Sequence, residues 1–487
     1  MKKCISVLVV ILILNGCNIN RASDLWLNDF ELLKNELTTG YANLSFAVKE
    51  RQIDIKALNN NIKAKLKLAS SKKEAQNIIG EFLGKFQDGH LKARLYDNLA
   101  EQASKSVPPS NTDSIDLALK KMKVVKTNTG YHLQYDLIKG FKSLVQNQNP
   151  FKASIIKSEN MTIGILRIPS FSPKHYWEIA SNIWKEYQKE LQGECKEDCQ
   201  EAFIRKVENK LTNYVIERIE ELNSEKTDAL LIDISGNGGG TEWMHQLARL
   251  FTKKELKGPP MSFVKHLHWK KTLKSQKKLI EKDLQANISE TLKNKLKLFN
   301  NMIDELIENT NNNCIAEQVW EKNDIDCLDL ISHPFNTELP YDIMNDPQFH
   351  LLASKQLIGT ARFHPFKKGI FSGPLYIAIN RGTASASEGF ASLFQFNNAA
   401  TLIGKKSYGV GCGYTNGGIQ IDLKNIGLTV YMPDCVRFTK YNENELKGIS
   451  PDIAVNWTKE DTMSKRGQAV IDAIIKDYLN QNNFGTY

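Results

Sequence analysis

The apolar positions of this chain change period from one segment to the next, and each change predicts an element. Between Asp24 and Ala103 the pattern is helical: Trp26, Phe30, Leu33 and Leu37 recur at i, i+4, i+7 and i+11, which lays them on one helix face. Leu375–Ile379 is instead a short, continuous, β-rich run bounded by Gly373-Pro374 and Asn380-Arg381-Gly382, the signature of a buried strand. Behind it Phe390, Leu393 and Phe394 return to helical spacing, so Ser385 falls on a tight strand-to-helix turn. Asp228–Gly240, DALLIDISGNGGG, repeats the arrangement with an apolar strand that runs into glycines. Met161–Phe171 predicts a further strand and Lys174–Ser224 a long helical passage. Beyond the Ser385 helix, Ala400–Ile403 predicts a short strand, Ile419–Leu423 with Leu428–Tyr431 a hairpin, and Gly467–Asn480 a closing helix.

The two strand-to-turn junctions carry the candidate chemistry. A serine at a helix mouth lies beside backbone N–H groups that have no partner inside the helix, so a nucleophile and anion-binding donors come together. The Gly238-Gly239-Gly240 run lets backbone approach a ligand closely. It matches neither the dinucleotide fingerprint nor a phosphate loop, since no Lys-Ser/Thr pair follows the glycines. An oxyanion site for acyl transfer fits better. Asp233 and Asn237 are expected to fix the glycine turn by side-chain to backbone hydrogen bonds. Glu388, three residues past Ser385, is expected to be a helix-start acid or a hydrogen-bonding prop.

DISGNGGG followed by TASASE and then GKKSYGVG resembles the catalytic core of the C-terminal processing (tail-specific) serine peptidases, whose relatives include the tricorn core. The resemblance runs from about Met161 to the C-terminus and implies a ClpP/crotonase-like α/β catalytic core. It implies Ser385 as nucleophile and an oxyanion hole from the N–H groups of Ala386 and of Gly238 or Gly239. One departure bears on mechanism. The processing branch takes its base from a lysine in an FGKG motif, and here Tyr408-Gly409-Val410-Gly411 has Val410 in that place, with Lys405 and Lys406 several residues off register. The tricorn-like branch uses Ser–His–Glu. Asp88-Gly89-His90 resembles its DGH motif, and Glu445, ahead of Gly448 and Pro451-Asp452, its E-x-x-G-x-x-P-D motif, which implies a triad of Ser385, His90 and Glu445. By position alone, Glu445 closes a polar run from Asn442 and would ordinarily be solvated.

The start of the chain, Met1–Cys17, reads as two lysines, an apolar run and small residues before a cysteine. This predicts a secretion signal rather than a membrane span. Leu14-Asn15-Gly16-Cys17 resembles the bacterial lipobox, which implies acylation at Cys17 and a cell-envelope lipoprotein, outer-membrane if the cell is Gram-negative, facing the periplasm or the cell surface. Eight cysteines become six once Cys4 and Cys17 are set aside, an even number that suits disulfides in an oxidising compartment. Neighbour pairing is expected, with Cys412 and Cys435 clamping the loop after Val410. Zinc is not expected at Cys195 and Cys199, because no histidine lies near them in sequence. The formal charge is +9, or +7 without Lys2 and Lys3, with many of the lysines in Lys253–Lys297. Behind a signal, that stretch reads as a solvated helical face or a contact with anionic lipid headgroups or envelope polymers, and not as a nucleic-acid site.

At 487 residues, 41% hydrophobic and 24% charged, the chain has ample length for a large core and more than one domain. The predicted organisation is a signal at 1–17, a helical domain at 18–105, a linker and mixed segment at 106–160, and a catalytic domain at 161–487 interrupted by a Lys- and Asn-rich insertion at about 258–357 that reads as helical over Thr272–Glu308. No PDZ pattern is recognisable in the mixed segment. The expected function is an exported serine endopeptidase, needing no cofactor or metal, on protein or peptide substrates in extended form. A binding lipoprotein that has lost turnover, and an esterase or amidase on small acyl substrates, are the alternatives.

Overall fold

The computed structural model describes residues 3–96, 107–128, 130, 132–144, 149–159, 161–333, 348, 352–356, 368–415 and 418–484. Its strands in chain order are β1 (Lys92–Leu95), β2 (Phe141–Ser143), β3 (Ala153–Lys157), β4 (Thr162–Arg167), β5 (Ala229–Asp233), β6 (Met261–Val264), β7 (Leu330–His333), β8 (Leu375–Ile379), β9 (Thr401–Gly404), β10 (Ile419–Leu423), β11 (Leu428–Met432), β12 (Cys435–Arg437) and β13 (Ile453–Ala454). The chain divides into two units, one of residues 106–260, 334–411 and 438–487, the other of residues 1–105, 261–333 and 412–437.

The first unit is built on a seven-stranded sheet of order β13-β9-β8-β5-β4-β3-β2, parallel from β13 to β4 and antiparallel beyond. β5 and β8 are buried along their whole length because apolar layers cover both faces. Leu230, Ile232, Ile377 and Ile379 face a core shared with the helices Trp177–Tyr187, Glu197–Ser224, Trp243–Leu250 and Ala386–Phe396. Ala229, Leu231, Tyr376 and Ala378 face Val470, Ile471 and Ile474 of the closing helix, Met463–Phe484. Strands alternating with helices have thus produced an α/β layered core.

In the second unit, helices Lys3–Gly40, Leu44–Lys49, Ile55–Leu68 and Lys72–Lys85 accompany two small sheets of orders β1-β11-β10 and β12-β6-β7. The stripe of Trp26, Phe30, Leu33 and Leu37 is buried, and Phe30 meets Phe82 edge to face at 5.1 Å. The side chain of Cys17 lies outside those described. No helix among the described residues is long and apolar enough to cross a membrane.

The structure departs from the sequence reading in organisation. The expected helical domain at 18–105 is joined by 261–333 and by 412–437, because β11 is the middle strand between β1 and β10, and β6 pairs with β12. The expected catalytic domain from 161 onward is therefore discontinuous. Lys174–Ser224 is two α-helices parted by a turn around Cys195, and Leu267–Leu284 and Glu290–Glu308 are separate helices, the second capped by Ser289. Disulfides join Cys195 to Cys199, Cys314 to Cys327 and Cys412 to Cys435, the neighbour pairing expected.

One buried carboxylate fastens the 412–415 loop. Asp434, fully buried, accepts from the Thr415 N–H at 2.8 Å and from its hydroxyl, and His268 Nε2 lies 3.4 Å away. The bond to Asp434 holds the His268 pKa above its ordinary value despite the opposing effect of burial. A raised folded-state pKa contributes stability that is full below the unfolded pKa and is lost as pH rises through the folded one. The thermal stability of wild type relative to His268→Gln should therefore be greatest near about pH 5.5 and shrink towards about pH 8. A difference that grows with pH would refute the pairing.

Candidate active site

Parallel pairing of β5 with β8 brings the two turns at their carboxyl ends side by side, the place where open α/β sheets form ligand crevices. The turns are laced together by backbone and short polar side chains. The Gly236 N–H donates to Asn380 Oδ1 at 2.9 Å, the Thr383 hydroxyl to the Ile234 carbonyl at 3.1 Å, and the Ala384 N–H to the Asn237 carbonyl at 3.0 Å. Asn237 is fully buried; its amide donates to Ile168 O at 3.0 Å while its Oδ1 accepts from the Gly239 N–H at 2.9 Å. Asp233 Oδ1 accepts from the Ser235 N–H and hydroxyl. Both residues fix the glycine turn as their types suggested.

Ser385 caps the helix Ala386–Phe396 with φ 55° and ψ −120°, a conformation rare outside glycine that costs on the order of 1–3 kcal/mol. Such a strained elbow between strand and helix lifts a serine hydroxyl clear of the strand, and here the helix start follows immediately. Gly239 closes on it: a Cβ there would come within 2.9 Å of the Ala386 nitrogen and of Ser385 Cβ, and its φ of +106° also demands glycine. Since the Gly239 N–H is engaged by Asn237, the exposed Gly238 is the member of the pair whose N–H donates to no described residue. Ala386, as the first helical residue, likewise has no intrahelical acceptor.

Glu388 supplies the tension that holds the elbow. Its side chain is fully buried, with Oε2 accepting from the Ser385 N–H and the Val410 N–H, each at 3.0 Å. Oε1 accepts from the Gly409 N–H at 2.7 Å and from the Ser407 hydroxyl. Four bonds to a carboxylate, each worth about 1.5–3 kcal/mol, match the several kcal/mol that its burial costs. Ser407 extends the lattice, since its Oγ also accepts from the Ile449 N–H at 2.7 Å, and Ile449 in turn accepts from the Ser407 N–H at 3.0 Å. That anchors the turn of Glu445–Lys447, whose Glu445 is fully buried and not solvated as its polar run suggested. Gly409 permits the approach, packing against the Leu446 carbonyl.

Val410, in the position of the processing-branch lysine, contributes backbone to this lattice. Lys405 lies over the Trp457 ring with Nζ 5.6 Å from its centroid, and Lys406 is exposed. Ser170 Oγ and His175 Nδ1 meet at 2.8 Å, but Ser170 is only 3% exposed and its Oγ also accepts from the Ser172 N–H at 3.0 Å. Burial holds the His175 pKa below its ordinary value, and the pair buttresses the Gly239 carbonyl, 3.4 Å from Ser170 Oγ. A cavity of about 380 Å³ between the helices Trp177–Tyr187 and Glu197–Ser224 is lined by Ile179, Ile183, Tyr187, Lys206, Lys210 and Tyr214, with none of the elbow residues. Among the described residues no group of His, Cys, Asp and Glu could hold a metal ion.

His90 belongs to the other unit, where Asp88 shapes its turn. Asp88 is 5% exposed; Oδ1 accepts from the His90 N–H at 2.9 Å, and Oδ2 accepts from Tyr41 Oη at 3.0 Å and Asn43 Nδ2 at 3.1 Å. Tyr414 donates its hydroxyl to the His90 carbonyl and sets its ring edge-on to the imidazole at 5.3 Å. Gly413 is the other wall, since a Cβ there would meet His90 Cε1 at 2.9 Å. The Cys412–Cys435 disulfide and a backbone bridge from Gly413 to Cys435 hold that wall. Tyr41, Asn43, Ser407 and Tyr414 carried no sequence signal for these contacts, because each acts across dozens or hundreds of residues.

The model of Peptidase family S41 matches residues 162–455. Among solved structures, mature CPAF complexed with lactacystin aligns over 95% of this chain and 99% of its own, with a TM-score of 0.58 and 14% identity. Mature CPAF by itself aligns over 93% and 96%, with a TM-score of 0.55 and 15% identity. The photosystem II D1 C-terminal processing protease aligns over 92% and 96% at 12% identity, with a TM-score of 0.36. At these identities the likeness to CPAF is one of fold. No curated protein matches the chain.

The Glu388 lattice has a direct consequence. In Glu388→Gln an amide nitrogen would face two donors, so the variant should lose about 3 kcal/mol of stability and most of its hydrolytic activity despite its size. Ser407→Ala, which removes one donor, should lose about 1–2 kcal/mol. Thermal unfolding with activity measured alongside checks both, and a Glu388→Gln protein as stable as wild type would contradict the lattice.

Proposed function

Because the chain belongs to peptidase family S41 and is a serine peptidase acting on protein or peptide substrates, we propose that it works through an acyl-enzyme on Ser385, with His90 as general base and Glu445 as the orienting acid. The observation that carries this reading is the strained Ser385 elbow beside the Gly238 N–H, which donates to no described residue, in a chain whose lysine position holds Val410. His90 would take the Ser385 proton as the hydroxyl attacks the scissile carbonyl, then return it to the leaving amine; Glu445 would fix the imidazole tautomer and stabilise imidazolium. The tetrahedral oxyanion would accept from the Gly238 and Ala386 N–H groups, each such donor being worth about 3 kcal/mol of transition-state stabilisation. Water would then release the acyl group by the same relay. The burial of Glu445 supports its part, since a carboxylate held away from water acts on its neighbours more strongly.

The same proposal includes export and lipid anchoring at Cys17. The lysines, apolar run and Gly16-Cys17 of the first segment support it, and three disulfides suit an oxidising cell envelope. The outer membrane, facing the periplasm or the cell surface, is the proposed location.

Turnover of a peptide substrate separates the bases. Ser385→Ala and His90→Ala should each lower kcat/KM by roughly ten thousand-fold, whereas Lys405→Ala and Lys406→Ala should stay within about twofold of wild type. A folded Lys406→Ala protein as inactive as Ser385→Ala would overturn the assignment of His90.

A further inference from the structure

Among the described residues, the strand that follows His90 is an edge strand. β1 pairs with β11 on one side, in antiparallel register from Lys92 with Tyr431 to Leu95 with Leu428, and no described residue forms a ladder with its other side. An edge strand presents unpaired N–H and C=O groups to which an extended chain can add as a new strand. Two cations mark one face of this edge. Lys92 Nζ lies 5.6 Å from the Tyr414 ring centroid and the Arg94 guanidinium 5.4 Å from that of Tyr431, so the two rings carry both cations on the same face of the sheet. Neither has a carboxylate partner among the described residues. Burial, and after it the Arg94 charge, keep the Lys92 pKa below its ordinary value. Two like charges held two residues apart on a strand, stacked on aromatic rings and without a counter-ion among the described residues, are complementary to a partner that brings its own negative charge.

We infer that β1 is a substrate-docking edge selecting extended peptides with acidic side chains at alternate positions, read by Lys92 and Arg94. Side chains on one face of a strand recur every second residue, so an added peptide strand would set two carboxylates against the two cations. Lys92 and Arg94 follow His90 by two and four residues, so at most roughly 7 and 13 Å of chain part them from it. The carboxylates would thus fall on one side of the cleaved bond, a few residues from it. The inference rests on the proposal that His90 serves the reacting centre, but its binding step does not require turnover. It adds a preference for acidic substrates, set by residues outside the proposed triad.

The test uses the full chain without its lipid anchor, carrying Ser385→Ala, and two fluorescent peptides that differ only in having Glu or Gln at two positions two residues apart. Fluorescence anisotropy should show the Glu peptide binding about tenfold or more tightly, with an advantage that falls as salt rises. Lys92→Gln with Arg94→Gln should abolish that advantage, and Arg94→Lys should keep part of it. On the active enzyme, the Glu-over-Gln ratio in kcat/KM should collapse in the same double variant. Equal binding of the two peptides, a preference that survives the double substitution, or binding confined to phosphatidylglycerol vesicles would each overturn the inference. A wild type that binds the Glu peptide through Lys92 and Arg94 yet cleaves neither peptide would uphold the docking edge and refute the proposed roles of Ser385 and His90 instead.

Discussion

The site depends on a buried carboxylate and the four donors that close on it. Glu388 joins the Ser385 N–H, the Val410 and Gly409 N–H groups and the Ser407 hydroxyl at one point, so the strained Ser385 backbone and the 407–411 loop are held by the same side chain. Strain of on the order of 1–3 kcal/mol at Ser385 would relax without a counterweight, and the Ser385 N–H bond to Glu388 opposes that relaxation directly. Ser407 then passes the constraint to the Glu445 turn through Ile449. Val410 enters this arrangement through its main-chain N–H, a donor to Glu388.

The sheet explains why that point lies where it does. Parallel β5 and β8 put the glycine turn and the serine elbow next to each other before any side chain is considered. Asn237 then locks the distance between them, taking the Ala384 N–H on its carbonyl and the Gly239 N–H on its amide oxygen. The cost is that Gly239 cannot use its N–H elsewhere, which singles out Gly238. On the other unit the same logic recurs around His90, with Asp88 beneath its backbone and a disulfide-held wall of Gly413 and Tyr414 beside its ring.

Much of this was legible because local pattern and local structure coincide there. The run Leu375–Ile379 is β8 to the residue, and the expected hairpin is present as β10 paired with β11. The expectation that Asn237 and Glu388 would serve as props came from residue type and position alone. What the pattern could not give was partnership at long range. The strands β6 and β12 are short and lie about 170 residues apart in sequence, and nothing in a four-residue run states which edge it will join. Glu445 illustrates the converse: its polar neighbours suggest water, yet packing against the 407–411 loop buries it fully. The helical passages were broken where Cys195 and Ser289 introduce turn and cap chemistry that apolar period does not register.

The most direct test of Ser385 as a nucleophile activated by His90 is reaction with a fluorophosphonate, with the adduct located by peptide mass spectrometry in wild type and in His90→Ala. An adduct on Ser385 alone, formed far more slowly in His90→Ala, is the expected result. Folded wild-type protein that takes up no label, or labelling at the same rate without the imidazole, would contradict it.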